Sequence, residues 1–254
     1  MVFVDRRKEG IMTTKKWLVG TGSVWLVLTA IFMAVGMVSL ISVPSSAADP
    51  RMETAQLAEK AKFTLESFTI DSNMSVFNDL IRQAKGVFIA PQVLKGAFIF
   101  GVSGGSGVFV AWNEKTKSWA GPAFYTIGGA SFGLQIGGQA AEVGLLAMTD
   151  RGVKALLSSS VKLGADVGIA VGPIGAGASA ATANLSADIL SFSRAKGLYG
   201  GISLDGAVVV VRDAWNEAYY GKKIDPTDIL ILQDVGNPHA APLIQSIEKA
   251  SGRK

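Results

Sequence analysis

Gly107-Val108-Phe109-Val110-Ala111-Trp112-Asn113-Glu114-Lys115-Thr116-Lys117-Ser118-Trp119 is the stretch on which the fold turns. Residues 108–112 are β-branched and aromatic, of strand length, and set between a glycine and a polar run. Residues 113–117 read as a hairpin loop, with Trp119 on the returning side. The strand is apolar at consecutive positions, so both of its faces are expected to be covered. Three other runs share that character: Val87-Phe88-Ile89-Ala90, Ala97-Phe98-Ile99-Phe100 and Ala207-Val208-Val209-Val210-Val211. Residues 86–206 hold 23 of the 30 glycines. An interior glycine costs a helix about 1 kcal/mol relative to alanine, so this block is read as strands and turns. Glycines inside strands mark bulges, sharp bends and close backbone approach.

Helices are expected on either side of this block. In residues 51–68, Leu57, Ala61, Leu65 and Phe68 fall on one face at spacings of four, four and three. A second helix is expected at 73–84, capped by Asp71, Ser72 or Asn73, with Phe77, Leu80, Ile81 and Ala84 as its stripe. Thr149-Asp150 opens a short helix carrying Val153, Leu156 and Leu157. Asp225-Pro226 is a cap followed by proline at the first helical position. Residues 242–250 read as a weak polar helix in a tail. Residues 122–148 form a Gly-punctuated stretch with alternation at Phe132, Leu134 and Ile136. The expected fold class is α+β: a strongly curved or barrel-like antiparallel sheet packed by N-terminal and C-terminal helices. The βαβα alternation of a doubly wound sheet is missing.

The N-terminus reads as an address. Lys15 and Lys16 precede an uncharged apolar run over 17–43, which Pro44 breaks. Ser46-Ala47-Ala48 supplies the small residues of a cleavage site, and Asp49-Pro50 would open the mature chain. The run exceeds the usual ~7–15 residues of such a core, and about 20 residues span a bilayer. Residues 18–43 are therefore either removed or kept as an inner-membrane anchor, and Met12 competes with Met1 as the start. Either way the expectation is export, to a periplasmic or secreted location, with 1–48 as the signal or anchor and 49–254 as one domain.

Composition narrows the chemistry. The chain has no cysteine and a single histidine, His239, which removes disulfides, thiolate metal sites, cysteine nucleophiles and multi-histidine centres. The net charge is +4, but the first 48 residues hold five basic and two acidic side chains, leaving a net +1 beyond them. That is no electrostatic footprint for nucleic acid. No cofactor or metal is expected. Gly101-Val102-Ser103-Gly104-Gly105 and Gly129-Ala130-Ser131-Phe132-Gly133 both fit GxSxG, with Asp150 and His239 following in hydrolase order. A nucleophile elbow needs a strand before it and a helix after it, and a strand follows the first motif instead. Gly175-Ala176-Gly177-Ala178-Ser179-Ala180 resembles a dinucleotide fingerprint, but Pro173 interrupts it and no acid stands about twenty residues on. Asp213 and Glu217 form a possible acid pair, with a solvated helix end as the plain alternative.

The Gly-rich block resembles the SYLF domain. The pieces that carry the likeness are Ala84-Lys85-Gly86-Val87-Phe88-Ile89, Gly104-Gly105-Ser106-Gly107, Trp119-Ala120-Gly121-Pro122-Ala123, Phe132-Gly133-Leu134-Gln135-Ile136-Gly137-Gly138-Gln139, Gly172-Pro173, Ala195-Lys196-Gly197-Leu198-Tyr199-Gly200-Gly201-Ile202-Ser203-Leu204-Asp205-Gly206 and Asn216-Glu217-Ala218-Tyr219-Tyr220-Gly221. They run in family order across residues 55–235. The resemblance implies a non-enzymatic lipid-binding module. Eukaryotic members are associated with phosphoinositides and actin filaments, and their N-terminal amphipathic helix contributes to membrane binding. Here that helix corresponds to residues 55–68, with Lys60 and Lys62 as candidate phosphate contacts. This chain departs from those members in its export signal and in lacking an SH3 or FYVE segment. An exported bacterial member would meet anionic phospholipid or another amphiphile rather than actin.

Near the hairpin loop, Trp112, Trp119, Phe124 and Tyr125 cluster. They read either as core or as a rim at a membrane interface, where Trp and Tyr are favoured. In the second case Lys115 and Lys117 would meet head groups. The stripe on 55–68 has two readings as well, since an amphipathic helix ordinarily packs its apolar face on the core. A small outer-membrane β-barrel is the competing architecture, against which the continuous apolar runs speak. A serine hydrolase is the competing activity.

Overall fold

The computed structural model describes residues 49–97, 100–132, 137–175, 186–195, 198–199 and 204–253. The expected signal or anchor, the tetrapeptide 133–136 and most of the fingerprint-like run 175–180 lie outside them. Ala47–Lys254 forms one compact unit.

Nine strands are described: β1 Gly86–Ala97, β2 Phe100–Asn113, β3 Ser118–Phe132, β4 Gly137–Ala147, β5 Ser160–Lys162, β6 Ile169–Val171, β7 Ile189–Ala195, β8 Leu198–Tyr199 and β9 Val208–Val211. They run in the order β5-β9-β3-β2-β1-β4-β7-β6, with β8 on β7, in a sheet curled into a half-barrel. Among the described residues β5 and β6 stand at the two ends of that order and do not pair. All pairs are antiparallel except β6 with β7, which is parallel. The expected curved, largely antiparallel sheet is thus present, with one parallel pair at its edge. The hairpin reading of 108–119 holds, with Trp112 opposite Trp119 and Asn113 opposite Ser118.

Among the described residues five α-helices accompany the sheet: α1 Pro50–Ile70, α2 Ser75–Leu80, α3 Asp150–Leu157, α4 Asp213–Tyr220 and α5 Ala241–Ser251. Asp49 caps α1 by accepting from the Arg51 N–H at 3.0 Å, and Pro50 supplies a pre-set φ at its first position. Asp71 then turns the chain, accepting from the Asn73 N–H, so the expected 73–84 helix is a 3-10 turn followed by the short α2. Thr149 caps α3 through the Gly152 N–H at 3.0 Å. The tail proves structural: Leu243 and Ile247 of α5 are buried against the same core as α1.

Strand alternation sorts the core into two layers. Val87, Ile89, Val108, Val110 and Phe124 face α1, α2, α4 and α5. Phe88, Phe109, Tyr125, Val143 and Leu145 face α3 and the segments around β5, β9 and residues 224–231. The apolar runs 87–90 and 108–112 are therefore covered on both sides, whereas Val210 in the 207–211 run is 42% exposed and the middle of the 97–100 run lies outside the described residues.

That double cover stops part-way along the long strands. The register of β1 shifts between Ile89 and Gln92 against β2, and between Ala90 and Val93 against β4. Pro91 lies at this bulge, where a central strand can accommodate the lost N–H. Across from it, a Cβ on Gly105 would lie 2.3 Å from the Gln92 carbonyl oxygen. Only glycine fits there. Beyond the bulge the helix-side face of the sheet is made of small residues, with Leu94 paired to Gly104 and Ala140, and Val102 to Gly96 and Ala130.

Candidate functional site

Helix α1 lies across the sheet at the level of the bulge, and a groove runs between it and the uncovered part of the strands. The larger lobe, about 860 Å³, lies between Lys60, Phe63, Thr64 and Ser67 of α1 and Pro91, Ala140 and Glu142 of the sheet. The smaller, about 360 Å³, lies between Glu53, Leu57 and Lys60 of α1 and Leu94, Gly104 and Ser106. Lys60, Pro91 and Gln92 line both lobes. The bulge and its facing glycines therefore create the space, and α1 roofs one side of it.

One end is tied by charge. Arg194 on β7 reaches Glu142 on β4 through Nε at 2.8 Å, Asp71 at 3.2 Å, and the Ser67 hydroxyl. Burial works against the Arg194 charge, but Glu142 and then Asp71 outweigh it and hold the pKa above its ordinary value. Burial likewise raises the Asp71 carboxyl, and the Asn73 N–H and Arg194 more than reverse this. The network pins the C-terminal end of α1 to the sheet. At the other end Arg212 stacks on Trp215, with its guanidinium carbon 3.3 Å from the ring centroid, and Nη1 donates to Ser106 Oγ at 2.9 Å.

The predicted contacts do not form one surface. Lys60 is exposed in the groove. Lys62, two residues on and about 200° around the helix, lies on the other flank, 3.7 Å from Glu66. Lys115 and Lys117 are exposed on the hairpin loop, where Lys117 pairs with Glu114 at 2.8 Å. That loop begins at Asn113, seven residues along β2 from Ser106, or about 23 Å at ~3.3 Å per residue.

Of the two readings of Trp119, rim and core, the structure shows the core. It is 4% exposed, and its indole N–H donates to Ser251 Oγ at 3.1 Å. Trp112, half-buried, packs edge-on against it, and Arg253 lies over both rings at 4.7 and 4.9 Å. The C-terminal turn, with Arg253 also bonded to the Ala84 carbonyl, thus covers the aromatic pair. The stripe Leu57, Ala61, Leu65 and Phe68 is packed on the sheet as well. Sequence periodicity found the buried face and missed the opposite one. Met52, Phe63 and Ile70, spaced eleven and seven apart, share one line on the outer face of α1, and Phe63 and Ile70 are 54% and 84% exposed.

Ser103, Asp150 and His239 do not assemble into a triad. Ser103 lies within β2, its hydroxyl donating to the Gly129 carbonyl. It pairs with Lys95, ten residues along β1 from Lys85, whose ammonium holds Asp150. Serine and aspartate are thus about 33 Å apart along the strand at ~3.3 Å per residue, and His239 is exposed on a separate turn. Asp213 and Glu217 are both exposed on α4. Among the described residues no cluster of three or more His, Asp or Glu side chains could hold a metal, and no helix is long and apolar enough to cross a membrane. What the groove offers is an apolar, side-chain-poor floor with cations at its rim.

The family Ysc84, described as Las17-binding protein actin regulator, matches residues 128–250, from the far part of β3 through α5. Protein YSC84 of Saccharomyces cerevisiae is 31% identical over 174 residues, covering 66% of this chain and 36% of that protein. The chain carries a SYLF domain of the Ysc84 family. LAS seventeen-binding protein 3 of the same yeast is 29% identical over 203 residues, 78% of this chain and 44% of its own. Human SH3 domain-containing YSC84-like protein 1 is 32% identical over 153 residues, 59% of this chain and 44% of its own. The chain thus matches less than half the length of each of these relatives. In this SYLF domain the family match includes Glu142 and Arg194, whereas α1, which roofs the groove, lies before it.

Proposed function

We propose that residues 49–254 are a non-enzymatic module that is exported and binds phospholipid at the cell envelope. The observation that carries this is exposed apolar surface in two places: Leu94 and Val102 on the sheet beyond the bulge, and Phe63 and Ile70 on the outer line of α1. Exposed apolar surface of this kind marks an interaction site. Helix α1 holds three basic and three acidic residues, so long-range attraction is slight. Its membrane affinity rests on buried apolar area, with about 1 kcal/mol added per basic residue near an anionic surface. Binding is accordingly weak and reversible. The basic start, the apolar run and the small-residue site of 1–48 support export.

The test is co-sedimentation with vesicles of phosphatidylglycerol and phosphatidylcholine, using the chain from Asp49, whose two core layers lie wholly within residues 49–253. Pelleting at low salt, reduced in Phe63→Ala and Ile70→Ala, is the expected result. A folded protein that stays in the supernatant at low salt refutes the reading. Filamentous actin, to which the family description points, is run alongside and is expected not to pellet the protein.

A further inference from the structure

The smaller lobe of the groove is walled by Leu57, Pro91, Leu94 and Trp215 and floored by Gly104 and Gly105. Its own charges are Glu53 and Lys60, and Arg212 stands directly behind Ser106. Two arginines stand at the groove and differ: Arg194 lines the larger lobe, and Arg212 borders the smaller one through its contacts to Ser106 and Trp215. Arg194 is matched by two carboxylates. Arg212 has one side-chain hydrogen-bond partner among the described residues, Ser106, and no carboxylate within ion-pair distance. Burial pushes its pKa down, and the more distant Glu53 raises it only in part. Lys60 has no ion-pair partner among the described residues either. A guanidinium held flat on an indole and lacking a counter-ion is oriented to receive an acid from outside, through paired N–H donors.

We propose that this lobe seats one hydrocarbon chain of an anionic amphiphile, whose carboxylate or phosphate head meets Arg212 and Lys60. This rests on the lipid-binding reading above and narrows it: a monomer lies in a slot, rather than a bilayer docking on a face. Glycines at 104 and 105 leave a flat floor that a methylene chain can follow. The slot continues into the larger lobe, whose volume of about 860 Å³ falls in the ~300–1,000 Å³ range of small-molecule sites. Glu53 repels a second negative charge, so a singly charged head is preferred.

The probe is dodecanoate below its micellar concentration, titrated calorimetrically into the chain from Asp49, with dodecanol and dodecyltrimethylammonium as neutral and cationic controls. One-to-one saturable binding of dodecanoate is expected, at least tenfold tighter than either control. Arg212→Gln is expected to weaken it at least tenfold, with partial recovery in Arg212→Lys. Gly104→Phe should abolish it. A Cβ at Gly104 meets nothing nearer than the Ile127 carbonyl oxygen at 3.9 Å, so the added ring has room in the lobe. Leu94→Glu, at an exposed position, provides a second block should that variant not fold. Absence of saturable binding by folded protein, equal binding of dodecanol, or full binding in both blocking variants overturns the proposal. A protein that sediments with vesicles yet takes up no dodecanoate refutes the slot and leaves the membrane reading standing. One that takes up dodecanoate but ignores vesicles does the reverse.

Discussion

The same four long strands behave differently on the two sides of the Pro91 bulge. Before it, Phe88, Val108, Phe109, Phe124 and Tyr125 are fully buried in the two core layers. After it, Val102 on β2 is 66% exposed and its neighbours are glycine and alanine. Length and pairing are shared, so hydrogen bonding does not explain the difference. Side-chain volume does. The near half is packed for stability, and the far half withholds volume that a core would use.

The largest expected effect lies in the near half. Phe124 contacts Trp215 and Tyr219 with ring centroids 6.3 and 4.9 Å away. Phe124→Ala should cost about 3–5 kcal/mol, read from denaturant unfolding. A loss under 1 kcal/mol would break the distinction between the halves.

Next come two adjacent glycines at the boundary. Gly105→Ala forces its Cβ onto the Gln92 carbonyl and should cost roughly 1–3 kcal/mol. Gly104→Ala has open space and should be neutral or stabilise by up to about 1 kcal/mol, since alanine loses less entropy in a strand. Equal melting temperatures for the pair would show that the bulge does not shape the sheet.

Acid should produce a smaller effect. Asp71, held low by Asn73 and Arg194 against burial, and Asp188, held low chiefly by the Thr149 hydroxyl, both favour the folded state when ionised. Their contribution is present above about pH 4 and lost as pH falls through their folded values. Asp71→Asn should flatten the acid limb of the melting temperature against pH. At the opposite limit, burial raises the phenols of Tyr125, Tyr219 and Tyr220. Their contribution is whole below about pH 10 and declines above it. All three lie outside the far half, so alkaline melting should be unchanged in far-half variants.

The smallest stability effect is expected in the far half itself. Leu94→Ser and Val102→Ser should move stability by no more than about 0.5 kcal/mol while reducing vesicle pelleting. A large stability loss there would make that face a core for the protein alone.

Much of this was legible in the chain. The apolar runs 87–90 and 108–112 foretold two covered faces, and the loop 113–117, the caps at Asp71, Thr149 and Asp225, and the stripe at Leu57, Ala61, Leu65 and Phe68 stand where the pattern puts them. Trp119 was ambiguous because an aromatic near a polar loop has the same local signature at a rim or in a core. Only the return of the C-terminal turn, with Ser251 and Arg253, decided between them. Arg212 and Arg194 carry no local signal at all. Their partners stand 106 positions away for Ser106 and 52 for Glu142, so their different roles emerge only in three dimensions.

Periodicity and glycine content determined an α+β domain with a doubly covered sheet, because those properties depend on neighbours a few residues away. The groove, its uncompensated cation and the burial of the indole pair were decided by the tertiary structure. They depend on which distant backbones approach closely enough to exclude a Cβ or supply a counter-charge, and no local spacing encodes that distance.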